Sequence, residues 1–177
     1  MTSLTLLVEN LSTGIVYRFK VRARNAEGFG EFSSPVEILT AQEPDTPVEP
    51  TSEFVRAEDS VVIRWSAPYN RGSEITAYKV YIQRSDGLLS LELSSCDGSS
   101  SVIKTAALCS IPINTLKQAP FQLAWGSSVY AYVVATNIYG DSDYSPRGNG
   151  AVIITKPDAP ESLSEDTLFR RPSELGL

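Results

Sequence analysis

Histidine is absent from the 177 residues. With it go the usual general base, the commonest metal ligand and the side chain that changes charge near neutral pH, so catalysis starts from a poor inventory. Apolar runs are short: none approaches the roughly 20 residues of a membrane-spanning helix. The longest, Val129 to Ala135, carries two tyrosines in alternation and reads as a strand. Basic charge is in deficit, with fifteen Lys and Arg against twenty-one Asp and Glu, a net of −6. That is the wrong sign for affinity built on phosphate neutralisation, and it argues against nucleic acid as a partner. Only two cysteines are present, two ligands short of a structural zinc site. Met1 to Ser12 lack the basic flank, continuous apolar stretch and small-residue cleavage site of a signal peptide.

What is present is a β vocabulary. Apolar residues make up 42% and charged residues 20%, and Val, Ile, Thr and Tyr recur in bursts separated by Gly, Pro, Ser and Asn. The chain also repeats itself. Leu11, Val21, Ala23, Asn25, Gly28 and Ser33 recur as Leu123, Val133, Ala135, Asn137, Gly140 and Ser145, each displaced by 112 positions. Pro44, Asp45 and Pro47 recur as Pro157, Asp158 and Pro160, displaced by 113. These matches define a unit that starts at a Pro-Asp-x-Pro linker and ends where the next begins. One whole unit is expected over 44–156, the last strands of another over 1–41, and the linker and first strands of a third over 157–177. Leu175 and Leu177 then align with Val61 and Ile63, so the expectation is a piece of a longer protein that stops inside a strand.

Within the central unit Val61, Ile63 and Trp65 alternate with Val62 and Arg64, giving one heavy apolar face. Tyr78, Val80 and Ile82 alternate with Lys79, Tyr81 and Gln83 in the same way. Between these strands, Ala67 to Glu74 holds a Pro and a Gly that continue neither. Leu88 to Leu93 suits a short strand, Ser94 to Ser101 a Ser-rich loop, and Ile111, Ile113 and Leu116 a further strand, with Pro112 placing it at a sheet edge. Val129, Ala131, Val133 and Ala135 form the inward row of another strand, and Val152 to Thr155 closes the unit. The sum is an all-β, seven-stranded Greek-key sandwich with Trp65, Tyr78, Val80, Val133 and Ala135 in its core.

These residues resemble the fibronectin type III family. Trp65 followed by Ala67-Pro68, then Gly72, Ser73, Ile75, Tyr78 and Val80, is similar to the opening half of such a module. Leu11, Tyr17, Val21, Ala23, Asn25, Gly28, Gly30 and Ser33 resemble its closing half, with Tyr17 as the corner tyrosine whose hydroxyl bonds nearby backbone. Two departures stand out. The corner position of the central unit is Val129, so packing, with Trp125 as a candidate, has to hold that corner. The unit is also about a dozen residues longer than the roughly 100 of an Ig-like sandwich, and the excess lies around the cysteines.

Cys96 and Cys109, thirteen apart, bracket the Ser-rich insertion. They read either as a disulfide formed in an oxidising compartment or as two unrelated thiols. Arg18, Lys20, Arg22 and Arg24 form a basic outward stripe, matched in the central unit by Tyr130, Tyr132, Val134 and Thr136. Either stripe is a candidate partner surface, or each simply packs on its own neighbouring strand. Asn10-Leu11-Ser12 is a glycosylation sequon, meaningful only on a secreted chain. The hairpin Asn137 to Asp143 corresponds to one that carries an integrin-binding tripeptide in some family members, but no Arg-Gly-Asp occurs, so integrin binding is not implied. Asp141 and Asp143 alone are a poor calcium set.

The expectation is therefore a non-catalytic structural, adhesion or protein-binding module of a larger multi-repeat protein, extracellular or in a membrane-protein ectodomain. Its partners would be other proteins or neighbouring modules, and it would use no cofactor. Two alternatives stay open: an intracellular titin-like scaffold, and accessory linkers of a secreted enzyme. Residues 1–41 are expected to be loosely held or to pair with another chain, because their face bearing Tyr17, Phe19 and Val21 lacks an opposite sheet.

Overall fold

The computed structural model describes residues 4–154. The unit expected over 157–177, with Leu175 and Leu177, lies outside the described residues.

Along the N-terminal stretch, β1 (Val16–Phe19) precedes a two-residue-strand hairpin, β2 (Arg24–Asn25) and β3 (Gly28–Phe29), and then β4 (Val36–Leu39) returns antiparallel to β1. Tyr17 stands opposite Ile38 and Phe19 opposite Val36, so these apolar pairs share one face. Among the described residues no second sheet covers that face, and Val21 remains 67% exposed.

The next strands are β5 (Thr51–Val55), β6 (Ser60–Arg64), β7 (Ala77–Gln83) and β8 (Leu89–Leu91). A short helix α1 (Ser101–Ala106) leads into β9 (Leu108–Pro112) and a helical turn α2 (Ile113–Lys117). The return strands are β10 (Ser128–Val129), β11 (Ala131–Asn137), β12 (Gly140–Asp141) and β13 (Ala151–Val152). One sheet runs β5-β6-β9 and the other β12-β11-β7-β8, both antiparallel. This is an all-β Greek-key sandwich of the Ig and fibronectin type III kind.

Alternation along each strand sends one row of side chains between the sheets. Val61, Ile63 and Trp65 meet Tyr78, Val80, Ile82, Val133 and Ala135 there, with Ile111 and Ile153 beside them. Each fully buried Val or Ile of this set contributes about 1.5–3 kcal/mol by leaving water. Trp65 packs edge-on against Tyr78, ring centroids 5.3 Å apart.

The repeated residues now have physical roles. The Asn137 Oδ1 accepts the amides of Tyr139 and Gly140, as the Asn25 Oδ1 accepts those of Glu27 and Gly28, so each asparagine turns a hairpin. Gly28 and Gly140 hold φ of +141° and +155° in those turns, which side chains disfavour. Ser145 Oγ accepts the Val133 amide at 3.0 Å, and Ser33 Oγ accepts that of Val21 at 3.1 Å. Each serine also donates its own amide to the carbonyl of the same residue, Ser145 to Val133 at 2.9 Å and Ser33 to Val21 at 2.8 Å, so side chain and backbone together fasten the return segment to the strand.

Three local expectations need correction. Ile113 and Leu116 lie in α2 and not in a strand; both are buried, because their i, i+3 spacing puts them on one side of a helical turn. The Ser-rich stretch ends in α1 and is not loop throughout. Trp125 does not pack the corner: it is 44% exposed beneath the Lys117 ammonium, 4.4 Å from the ring centroid, while Val129 is itself fully buried.

Candidate interaction surfaces

The insertion is anchored on the edge of the four-stranded sheet. The Glu92 amide donates to the Val80 carbonyl, Asp97 bridges to Lys79, and the Tyr78 amide donates to the Gly98 carbonyl. Residues 93–96 bulge out between these contacts. Cys96 and Cys109 are joined in a disulfide, Cα atoms 5.2 Å apart. Cys109 lies in β9 opposite Ile63, so the bond ties the bulged edge of one sheet to the outer strand of the other. Glu92, 2% exposed, fills the bulge: its carboxylate accepts the amides of Ser94 and Ser95, each at 3.0 Å, and the Ser94 hydroxyl. Its burial was not legible from the chain, though a Glu two residues ahead of paired serines was the available signal.

On the outer face of the four-stranded sheet, Tyr132 stands opposite Tyr81, and Tyr81 meets Tyr144 edge-on at 5.0 Å. Arg147 lies over Tyr130, 4.4 Å from the ring centroid. Tyr144 is half exposed and occupies the position equivalent to Phe32 in the repeat, a correspondence that would have singled it out. Burial raises the Tyr81 phenol above its ordinary range, and Tyr144 and then Asp141 add to the effect. At the rim Lys79 bonds Asp141, which also accepts the Thr136 hydroxyl at 2.6 Å. These two contacts, Lys79 first, lower the Asp141 carboxyl below its usual value. Among the described residues no cluster of three or more His, Cys, Asp or Glu is placed to hold a metal.

The basic stripe is spoken for in large part. Arg18 pairs with Glu37, Arg22 lies over Phe29 and Phe32 at 3.9 and 4.8 Å, and Arg24 lies 5.1 Å from the Phe29 centroid. Lys20 is exposed. The Tyr17 hydroxyl accepts the Ser12 amide at 2.9 Å. Asn10 is exposed, at φ +59°.

No family model matches the chain. Over 167 residues it is 26% identical to human fibronectin type-III domain-containing protein 3A, covering 91% of this chain and 12% of that protein. Over 76 residues it is 33% identical to rat neogenin, covering 42% of this chain and 6% of that one. The chain thus spans a small part of the curated relatives it matches. Among solved structures, a crystal structure of titin domains superposes with a TM-score of 0.50 at 21% identity, covering 78% of this chain and 41% of the titin segment. The likeness to fibronectin type III domains holds in sequence and in fold.

Proposed function

We propose that this chain is a non-catalytic stretch of a multi-repeat protein, in which residues 44–156 are one complete fibronectin type III module that binds other proteins and spaces its neighbours. Residues 1–41 are the closing strands of the preceding module and 157–177 the opening of the next. The observation that carries this reading is the outer face built from Tyr81, Tyr132 and Tyr144. Rigid aromatic rings with polar tips lose little side-chain entropy on contact and are enriched at protein interfaces. The cavity lined by Glu43, Asp45, Arg71, Asp141 and Asp143 is open and polar, unlike the enclosed apolar pockets that hold small substrates.

The disulfide favours an extracellular or ectodomain setting, since such bonds persist where the surroundings are oxidising. Two measurements test the proposal. Alkylation of the native protein without reductant should leave Cys96 and Cys109 unlabelled; labelling of both would remove the ectodomain setting. Beads coated with the chain should adhere to cells through the tyrosine face, and Tyr81→Ser, Tyr132→Ser and Tyr144→Ser together should abolish adhesion. Undiminished adhesion of a folded triple variant would sink the face as the binding surface.

A further inference from the structure

The stretch that connects β4 to β5 is held by other parts of the chain along its length. The Gln42 amide donates to the Arg71 carbonyl at 3.3 Å and the Asp45 amide to the Tyr69 carbonyl at 2.9 Å. The Asn137 Nδ2 donates to the Gln42 carbonyl at 2.7 Å. The Arg71 guanidinium bonds the Asp45 carboxylate with Nε and the Gln42 side chain with Nη1, the latter at 3.1 Å. Pro44 and Pro47 are buried. A free linker keeps its backbone groups in water; here they are spent on the loop 69–71 and on the β11–β12 hairpin.

Backbone also meets backbone. A Cβ placed on Gly72 would stand 2.6 Å from the Gly14 Cα and 3.0 Å from the Thr40 carbonyl oxygen, and one on Gly14 would stand 3.0 Å from the Tyr69 hydroxyl. Gly14 belongs to the turn before β1, and its loop is tied to the end of β4 by Thr40, whose amide donates to the Ile15 carbonyl and whose hydroxyl serves Ser12 and Ile15. Side-chain-free contact of this closeness leaves little room for rotation. Asn137 differs from its repeat partner Asn25 in using its amide group on the connector as well as its carbonyl in the turn.

We infer that residues 12–15, 40–45, 69–72 and 137 form a rigid joint, which fixes the base of the β1–β4 pair in one orientation against the sandwich of 51–152. The β1–β4 pair and the sandwich then display their outer faces as one body. The joint stands whatever those faces bind, so it goes beyond the proposed function.

Residual dipolar couplings on the whole chain read the orientation directly. Amides of 15–18 and 37–40 should fit the same alignment tensor as those of β7 and β11. Gly72→Ala should split this into two tensors. Gly87→Ala is the matched control: its φ of +84° equals that of Gly72 at +85° in strain, but its nearest added contact is the Gln83 Nε2 at 4.0 Å, so the single tensor should survive. Asn137→Asp keeps the Oδ1 acceptor of the hairpin, loses the donor to Gln42, and should speed hydrogen exchange at Gln42 and Asp45 while leaving Val80 and Val133 unchanged. This variant carries the test if Gly72→Ala does not fold. The inference is overturned if the unaltered chain needs two tensors, or if Asn137→Asp leaves the exchange of Gln42 and Asp45 where it was.

Discussion

Removing the crosslink between Cys96 and Cys109 perturbs the sandwich at its longest departure from a plain module. The two residues are 13 apart in sequence, and closing a loop of that length removes about 3 kcal/mol of conformational freedom from the unfolded chain. Both cysteines are almost fully buried, at 1% and 3% exposure, so the bond sits where native geometry is dictated by the core and not by solvent. For a core of this size the loss corresponds to a fall of about 10–15 °C in Tm. The double variant Cys96→Ala/Cys109→Ala and the reduced wild type should be melted by urea and by heat against the oxidised chain, followed by circular dichroism. The reduced wild type keeps its sulfur atoms, so agreement between it and the double variant would separate the crosslink from the small cavity that alanine leaves. Exchange should quicken most between residues 93 and 107, the segment pinned at both ends. Oxidised and uncrosslinked chains that unfold within about 1 kcal/mol of each other would refute the loop argument.

Trp65→Ala should cost about 3–5 kcal/mol, while Trp65→Phe should cost far less, because the buried indole N–H meets no acceptor; urea midpoints distinguish them. Glu92→Ala strands the Ser94 and Ser95 amides and should destabilise by about 2–3 kcal/mol, as for a buried charged acceptor removed, whereas equal stability would mean the bulge re-forms around water. The Asp141 carboxyl is lowered in the fold by Lys79 and Thr136, so its contribution is present above the ordinary carboxylate pKa and fades as pH falls through the folded value. The stability gap between wild type and Asp141→Asn should therefore be largest near neutral pH and close in acid; a gap that widened in acid would reverse the assignment. Amides of Val21 and Ala23 should exchange faster than those of Val133 and Ala135, since the first pair is exposed and the second fully buried; equal protection in a monomer would show that another surface covers the N-terminal strands.

The repeat, the strand alternation and the core row were legible because each is a local pattern. Val61, Ile63 and Trp65 occupy every second position, and a strand translates that period into one face without further information. Asn25 and Asn137, or Ser33 and Ser145, could be matched by displacement alone, since their bonds close within a few residues or across one hairpin. From Ile111 to Leu116 the sequence suggests a single strand, which holds only through Pro112; from Ile113 the i, i+3 spacing serves a helical turn. Packing of Ile113 and Leu116 into the core selected the turn.

Composition and spacing by themselves pointed to an all-β repeat chain without histidine chemistry, and picked out the core row Trp65, Tyr78, Val80, Val133 and Ala135. Tertiary structure alone decided where the disulfide ties the two sheets, that Glu92 is buried with its partners, that Tyr144 reaches Tyr81, and that Gly14 meets Gly72 across the joint. The physical reason is range. A strand's period is set by neighbouring backbone geometry, whereas contacts such as Gly14 with Gly72 or Asn137 with Gln42 exist only once both sheets have closed and placed their loops at the same end.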